Sequence, residues 1–180
     1  KITVLLADDH TVIREGLKMM LEASADIRVV GEAETGQQAV QMTRRLQPTV
    51  LILDLAMPLL NGIEATRQIV RECPSTKVLI LSTYSDDDFV HQIIEAGAKG
   101  YLVKQTAGQD LLRAVREASR GGSFFSPAVA SRLQAQANKN FAHSGSKKRE
   151  GPRLTTRERE VLQLIAEGLA NKQIADALKI

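Results

Sequence analysis

The sequence predicts an α/β fold: a five-stranded parallel flavodoxin-like sheet, doubly wound with helices on both faces, followed by a helical linker and a partial all-α helix-turn-helix domain. Three observations carry this. Short apolar runs recur along the first two-thirds of the chain, segments of helical periodicity alternate with them, and four of the five runs end in a polar or charged residue. Alternation at this pitch argues for parallel strands buried on both faces.

Taken in order, Ile2 to Ala7 is the first run and ends in Asp8-Asp9. Ile13, Leu17, Met20 and Leu21 then recur at helical spacing, with Arg14, Glu15 and Lys18 on the other face. Ile27 to Val30 reads as a second strand and Gln37 to Leu46 as a second helix, stopped by Pro48. Val50 to Leu53 is the central strand and delivers Asp54 to a loop containing Met57-Pro58 and Asn61-Gly62. Ile63, Thr66, Ile69, Val70 and Cys73 mark a third helix, terminated by Pro74. Val78 to Leu81 leads to Ser82-Thr83, the acidic Ser85 to Asp88 suits a helix N-terminus, and Phe89, Val90, Ile93 and Ile94 give that helix its apolar face up to Gly97. Gly100 to Val103 is a fifth strand followed by Lys104, and Thr106 with Gln109 forms a capping box opening a helix that runs to Gly121-Gly122.

Beyond Gly122 no further strand is predicted. Ser126-Pro127 opens a short helix, and Asn138 to Arg153 is a polar, basic linker. Thr155 to Glu158 opens another helix with a core face of Val161, Leu162, Ile165 and Leu169, and Asn171 caps one bearing Ile174, Ala175 and Leu178. The resulting division is 1–121, 122–153 and 154–180.

Composition narrows the functional classes. With 43% hydrophobic and 25% charged residues in 180, the chain has room for one globular domain and part of another, and its 3% aromatics imply aliphatic cores. No apolar run approaches the roughly 18 residues of a membrane span, no signal peptide pattern opens the chain, and Cys73 is the single cysteine, so a cytoplasmic home is expected. Residues 1–120 hold 14 Lys+Arg against 16 Asp+Glu, whereas 121–180 hold 10 against 5, so the basic excess that points to a polyanion lies in the last third. The chain starts at Lys1 rather than Met and stops at Ile180 inside a helical pattern, and it is read as part of a longer protein.

Asp8, Asp9, Asp54, Ser82 and Lys104 come from four segments, yet each falls at the carboxyl end of a predicted strand, where open α/β sheets bind their ligands. Three crowded carboxylates repel, and a hard divalent cation relieves them. Mg²⁺ is commonly held by one or two carboxylates, which leaves an acid free to react. A carboxylate that attacks a phosphoryl group forms an acyl phosphate; the Lys104 ammonium and Ser82 hydroxyl are suited to the oxygens of that group.

With these residues in view, 1 to about 120 resembles the receiver domain of two-component response regulators, through Asp8-Asp9, Asp54 with Met57-Pro58 and Gly62, Ser82 and Lys104. Residues 154–180 resemble the start of the LuxR-type helix-turn-helix, through Leu154-Thr155, Arg157-Glu158, Glu160-Val161-Leu162 and Asn171 to Ala175. Together they resemble the NarL/FixJ class. The resemblance implies Asp54 as phosphoacceptor; Asp9, Asp54 and the backbone carbonyl of Ala56 as Mg²⁺ ligands with Asp8 in support; and Ser82 with Tyr101 as the conformational switch. It also implies a partner histidine kinase as donor, a homodimer on phosphorylation, promoter DNA as the target of the intact protein, and no enzymatic turnover beyond self-phosphorylation and slow self-dephosphorylation. In that family the recognition helix lies beyond the equivalent of Ile180, so DNA-contacting residues are not assigned. One departure is Gln105 after Lys104, where many receivers carry proline after a cis peptide.

Other classes fit less well. Aspartate-nucleophile phosphatases resemble a pattern with a second acid two residues after the first, and Ala56 stands there. A flavin-binding reading lacks a phosphate-binding loop after the first strand. A phosphorylation-independent dimerisation module keeps the fold but leaves the complete acid set unexplained.

Overall fold

The computed structural model describes residues 1–83, 87–105, 107–127, 129–131, 161, 163–164, 166, 173 and 175–176. Its order is β1 (Ile2–Ala7), α1 (Thr11–Glu22), β2 (Ile27–Ala33), α2 (Gly36–Leu46), β3 (Val50–Asp54), α3 (Gly62–Glu72), β4 (Lys77–Ser82), α4 (Asp87–Glu95), β5 (Gly100–Val103), α5 (Ala107–Ser119) and β6 (Phe124–Phe125). The sheet order is β2-β1-β3-β4-β5-β6, every pairing parallel.

Period-two alternation within strands buried on both faces divides the core into two layers. Leu5, Leu51, Leu53, Val78, Ile80 and Tyr101 meet α2, α3 and α4 through Val40, Ile63, Ile69 and Ile93. Val4, Leu6, Val50, Ile52, Leu79 and Leu81 meet α1 and α5 through Leu17, Leu21, Leu111 and Val115. Both layers are almost wholly aliphatic, as the aromatic-poor sequence requires. No helix of the described residues is long and apolar enough to cross a membrane.

Local chemistry sets the element ends. Thr35 caps α2, its hydroxyl accepting from the Gln38 N–H at 3.2 Å, and Asn61 caps α3, its carbonyl oxygen accepting from the Glu64 N–H at 3.0 Å. α3 ends at Glu72, with Cys73 as its C-cap immediately before Pro74.

Three expectations need correction. The sheet has six strands: Phe124–Phe125 pairs with Gly100–Tyr101, the Phe124 N–H donating to the Lys99 carbonyl at 2.9 Å. Gly100 makes the approach possible, because a Cβ there would lie 2.3 Å from the Phe124 oxygen. Two residues are too few to show a period, so this strand is invisible in the pattern. β2 runs on past Val30 to Ala33, since Gly31 and Glu32 hide its continuation. Arg14, placed with the solvent-facing residues of α1, is only 6% exposed. The capping box at Thr106, segment 132–160 and most of 161–180 lie outside the described residues.

Candidate phosphoryl-transfer and cation site

Four strands deliver the site. Asp8 follows β1, Asp54 closes β3, Ser82 closes β4 and Lys104 follows β5. The parallel register sets Asp54 beside Leu81 and Ser82 beside Val103, so the ends converge at one edge. The Lys104 N–H donates to the Ser82 carbonyl at 2.8 Å, which fixes where the lysine leaves the sheet. The Lys104–Gln105 peptide is trans, as are all described peptides.

The Lys104 ammonium lies 2.8 Å from Asp54 Oδ2 and 2.7 Å from Asp8 Oδ2. Asp8 and Asp54 are 1% and 3% exposed, so one ammonium faces two carboxylates in a region largely closed to water. Asp8 Oδ2 has this ionic contact but no well-directed hydrogen bond. Burial pushes the Asp54 carboxyl above the usual carboxylate range, the Asp8 charge adds to the rise, and Lys104 opposes it without cancelling it. For Lys104, burial works against the ammonium, but the hydrogen bond to Asp54 and the close ionic contact with Asp8 outweigh it and hold its pKa above the ordinary value.

Asp9 and His10 complete the rim. His10 Nδ1 is 2.7 Å from Asp9 Oδ1 and 3.2 Å from Asp8 Oδ1, and the His10 N–H donates to Asp8 Oδ1 at 2.9 Å. Asp8, Asp9, His10 and Asp54 each bring a ligand atom within 4.8 Å of the others. This cluster, rich in carboxylate oxygen and carrying one oxygen without a directed hydrogen bond, is compatible with a hard divalent cation.

The loop after Asp54 folds back on itself. Ala56 N–H approaches Asp54 Oδ1 at 3.4 Å, Gly62 N–H donates to the Leu55 carbonyl at 2.9 Å, and Leu59 takes a positive φ of 66°. A Cβ at Gly62 would lie 2.4 Å from the Asp54 carbonyl oxygen, so glycine is required where α3 starts against the end of β3. Gln163 reaches this loop from the distant helical segment. Its Oε1 accepts from Asn61 N–H and Nδ2 at 2.8 and 2.9 Å, and its Nε2 donates to the Met57 carbonyl at 3.0 Å.

Asp8, Asp9, Asp54 and Lys104 thus meet where the strand ends place them, Ser82 closes β4 at the same edge, and Tyr101 lies fully buried in the core on β5. His10 and Gln163 are the site contacts that sequence reasoning missed, as is the buried Arg14 beside the site, whose Nη1 donates to the Asp8 carbonyl at 2.8 Å. His10 stands directly after the acid pair, and that adjacency was the available signal; Arg14 and Gln163 looked like ordinary polar positions on amphipathic helices.

Comparison with known proteins accords with this geometry. Residues 4–116 match the response regulator receiver domain, and residues 152–180 match the bacterial regulatory proteins of the luxR family. The chain belongs to the response-regulator family. It is 42% identical over 179 residues to the transcriptional regulatory protein LiaR of Bacillus subtilis, covering 99% of this chain and 83% of that protein. The isolated receiver domain of RcsB from Salmonella enterica, solved with the phosphomimetic BeF₃⁻, aligns at a TM-score of 0.68 and 28% identity over 73% of this chain and 98% of that one. RcsB dimers bound to DNA align at 0.69 and 28%, covering 99% and 83%. A receiver joined to a LuxR-type domain makes this response regulator a two-component regulator of transcription.

Proposed function

We propose that Asp54 accepts a phosphoryl group, from a partner histidine kinase in the cell, and that the acyl phosphate switches dimerisation and promoter binding by the intact protein. The observation that carries this is the buried imbalance of charge: Asp54 shares one ammonium with Asp8. Burial raises the Asp54 pKa and leaves its ionised form poorly stabilised, which favours reaction of that carboxylate with an electrophile. An Asp54 oxygen attacks phosphorus, the bond from phosphorus to the donor breaks, and the leaving group takes up a proton. Asp9, Asp54 and the Ala56 carbonyl would hold Mg²⁺, with Asp8 in support; when bound, the ion neutralises charge on the transferring group. Lys104 is within reach of the phosphoryl oxygens from its place beside Asp54, and Ser82 donates to another.

The phosphoryl group adds roughly −1.5 to −2 charges at Asp54. Ser82 and Lys104 turn toward it, and Tyr101 occupies the space that Ser82 leaves. Moving a two-state element from 1:99 to 99:1 requires about 5.5 kcal/mol of differential stabilisation, so several contacts act together. The contact of Gln163 with Met57 and Asn61 supports a direct link between this loop and the DNA-binding part. The RcsB relatives, seen as dimers on DNA and as a receiver with a phosphate mimic, support the same reading. Light scattering of the chain with and without a small acyl phosphate tests it: the parent shifts toward dimer and Asp54→Asn does not. A variant that dimerised equally in response to donor contradicts the proposal.

A further inference from the structure

Arg14 is nearly as buried as Asp8 and Asp54, yet it takes no part in the chemistry above. Its N–H donates to the His10 carbonyl at 3.0 Å in the first turn of α1, and its side chain reaches residues at the ends of β1 and β2. The guanidinium then serves three partners in three directions. Nε donates to Glu32 Oε2 at 3.2 Å, Nη2 to Glu34 Oε1 at 2.9 Å, and Nη1 to the backbone carbonyl of Asp8 at 2.8 Å. Lys18 holds the other oxygen of Glu32 at 2.7 Å, which steadies the anchor from outside.

The consequence falls on Asp8. Its N–H donates to the Ala33 carbonyl at 3.1 Å while its own carbonyl is held by Arg14, so both main-chain groups are fixed before its side chain meets Lys104 and His10. Asp9 follows in the chain and inherits that direction. Because Glu32 and Glu34 counter the guanidinium's charge, Arg14 acts on the acids through position rather than through its field.

We propose that Arg14 is a positioning residue for the cation-binding acids: held by Glu32 and Glu34, it fixes the Asp8 carbonyl and thereby the direction of Asp8 and Asp9. This rests on the reading of the acids as a Mg²⁺ site. Lysine keeps the charge but cannot span three partners, so Arg14→Lys separates position from charge, and Arg14→Gln removes both.

The test is Mn²⁺ binding, followed by the loss of its free-ion paramagnetic resonance signal, on the full chain and both variants, with circular dichroism melts alongside. Loss of a group that orients metal ligands raises the half-saturating concentration by roughly tenfold, and that is expected for both variants. Phosphoryl uptake at saturating Mg²⁺, and its dependence on acyl phosphate concentration, stay within about twofold of the parent, since Arg14 touches neither donor nor nucleophile. Arg116→Gln, which breaks an ion pair with Asp26 near the opposite end of β2, serves as the control and leaves Mn²⁺ binding unchanged. If Arg14→Lys melts lower but binds Mn²⁺ like the parent, Arg14 is only a structural arginine and the proposal fails. A parent that binds Mn²⁺ but takes up no phosphoryl group overturns the proposed function instead, while the effect of Arg14 on metal binding still stands or falls by itself.

Discussion

Two charge clusters sit side by side at the carboxyl edge of the sheet, and they are built on opposite rules. In one, Arg14 and Lys18 face Glu32 and Glu34, two cations against two anions, and the pairing with Lys18 and Arg14 holds the Glu32 carboxyl below its usual range against the effect of burial. In the other, Lys104 alone faces Asp8 and Asp54, and the Asp54 carboxyl is pushed up. The balanced cluster holds the fold in place. The unbalanced one is left with unmet attraction for positive charge, which a cation and a phosphoryl group can satisfy.

Breaking the unbalanced cluster at its single cation has the largest expected effect. Lys104→Met leaves two buried carboxylates facing each other, and removing one partner of a buried pair costs about 3 kcal/mol or more, roughly 6–12 °C in Tm for a domain of this size. Mg²⁺ should recover much of that loss; a melt unchanged by both the substitution and the ion contradicts the charge argument.

Asp54→Asn should do the reverse. Without metal it removes the excess charge, so Tm rises by roughly 2–4 °C, or about 1 kcal/mol, and added Mg²⁺ narrows the gap by stabilising the parent more. A lower Tm in metal-free buffer breaks the comparison.

Acid sharpens the contrast, because the two carboxylates have opposite linkage. Glu32 has a depressed folded pKa, so its contribution is present above 4.5 and is lost as pH falls through the folded value below that. Asp54 has a raised folded pKa, so protonation favours the folded state as pH falls from that value toward 3.8. Melts against pH should therefore show the deficit of Glu32→Gln shrinking below pH 4.5 and the advantage of Asp54→Asn shrinking on the way down to 3.8. Parallel curves for the two variants would remove the distinction.

The smallest effect belongs to the contact that joins the two parts of the chain. Gln163→Ala removes hydrogen bonds to groups that water can partly satisfy, worth about 1 kcal/mol, so the rate of phosphoryl uptake should change by no more than about fivefold, upward if the contact restrains the loop. Single-turnover kinetics with a small acyl phosphate reads it.

The sheet and most of the site were legible because parallel strands buried on both faces announce themselves as apolar runs, and the polar residues closing those runs must lie at the same edge. That logic reached Asp8, Asp54, Ser82 and Lys104 without any side-chain geometry. It fails where a residue's role depends on a partner distant in sequence. Arg14 looks like a solvent-facing position on α1 until Glu32 and Glu34 are placed beside it, and Gln163 carries no mark of its reach to Asn61. β6 fails for a different reason, since its two residues are recruited by the space above Gly100 rather than by a pattern of their own.

The most direct measurement is the intact mass of the chain after incubation with Mg²⁺ and a small acyl phosphate, beside Asp54→Asn. One added phosphoryl group on the parent and none on the variant is the predicted result. No addition to the parent, or equal addition to both, contradicts the assignment of Asp54 as the acceptor.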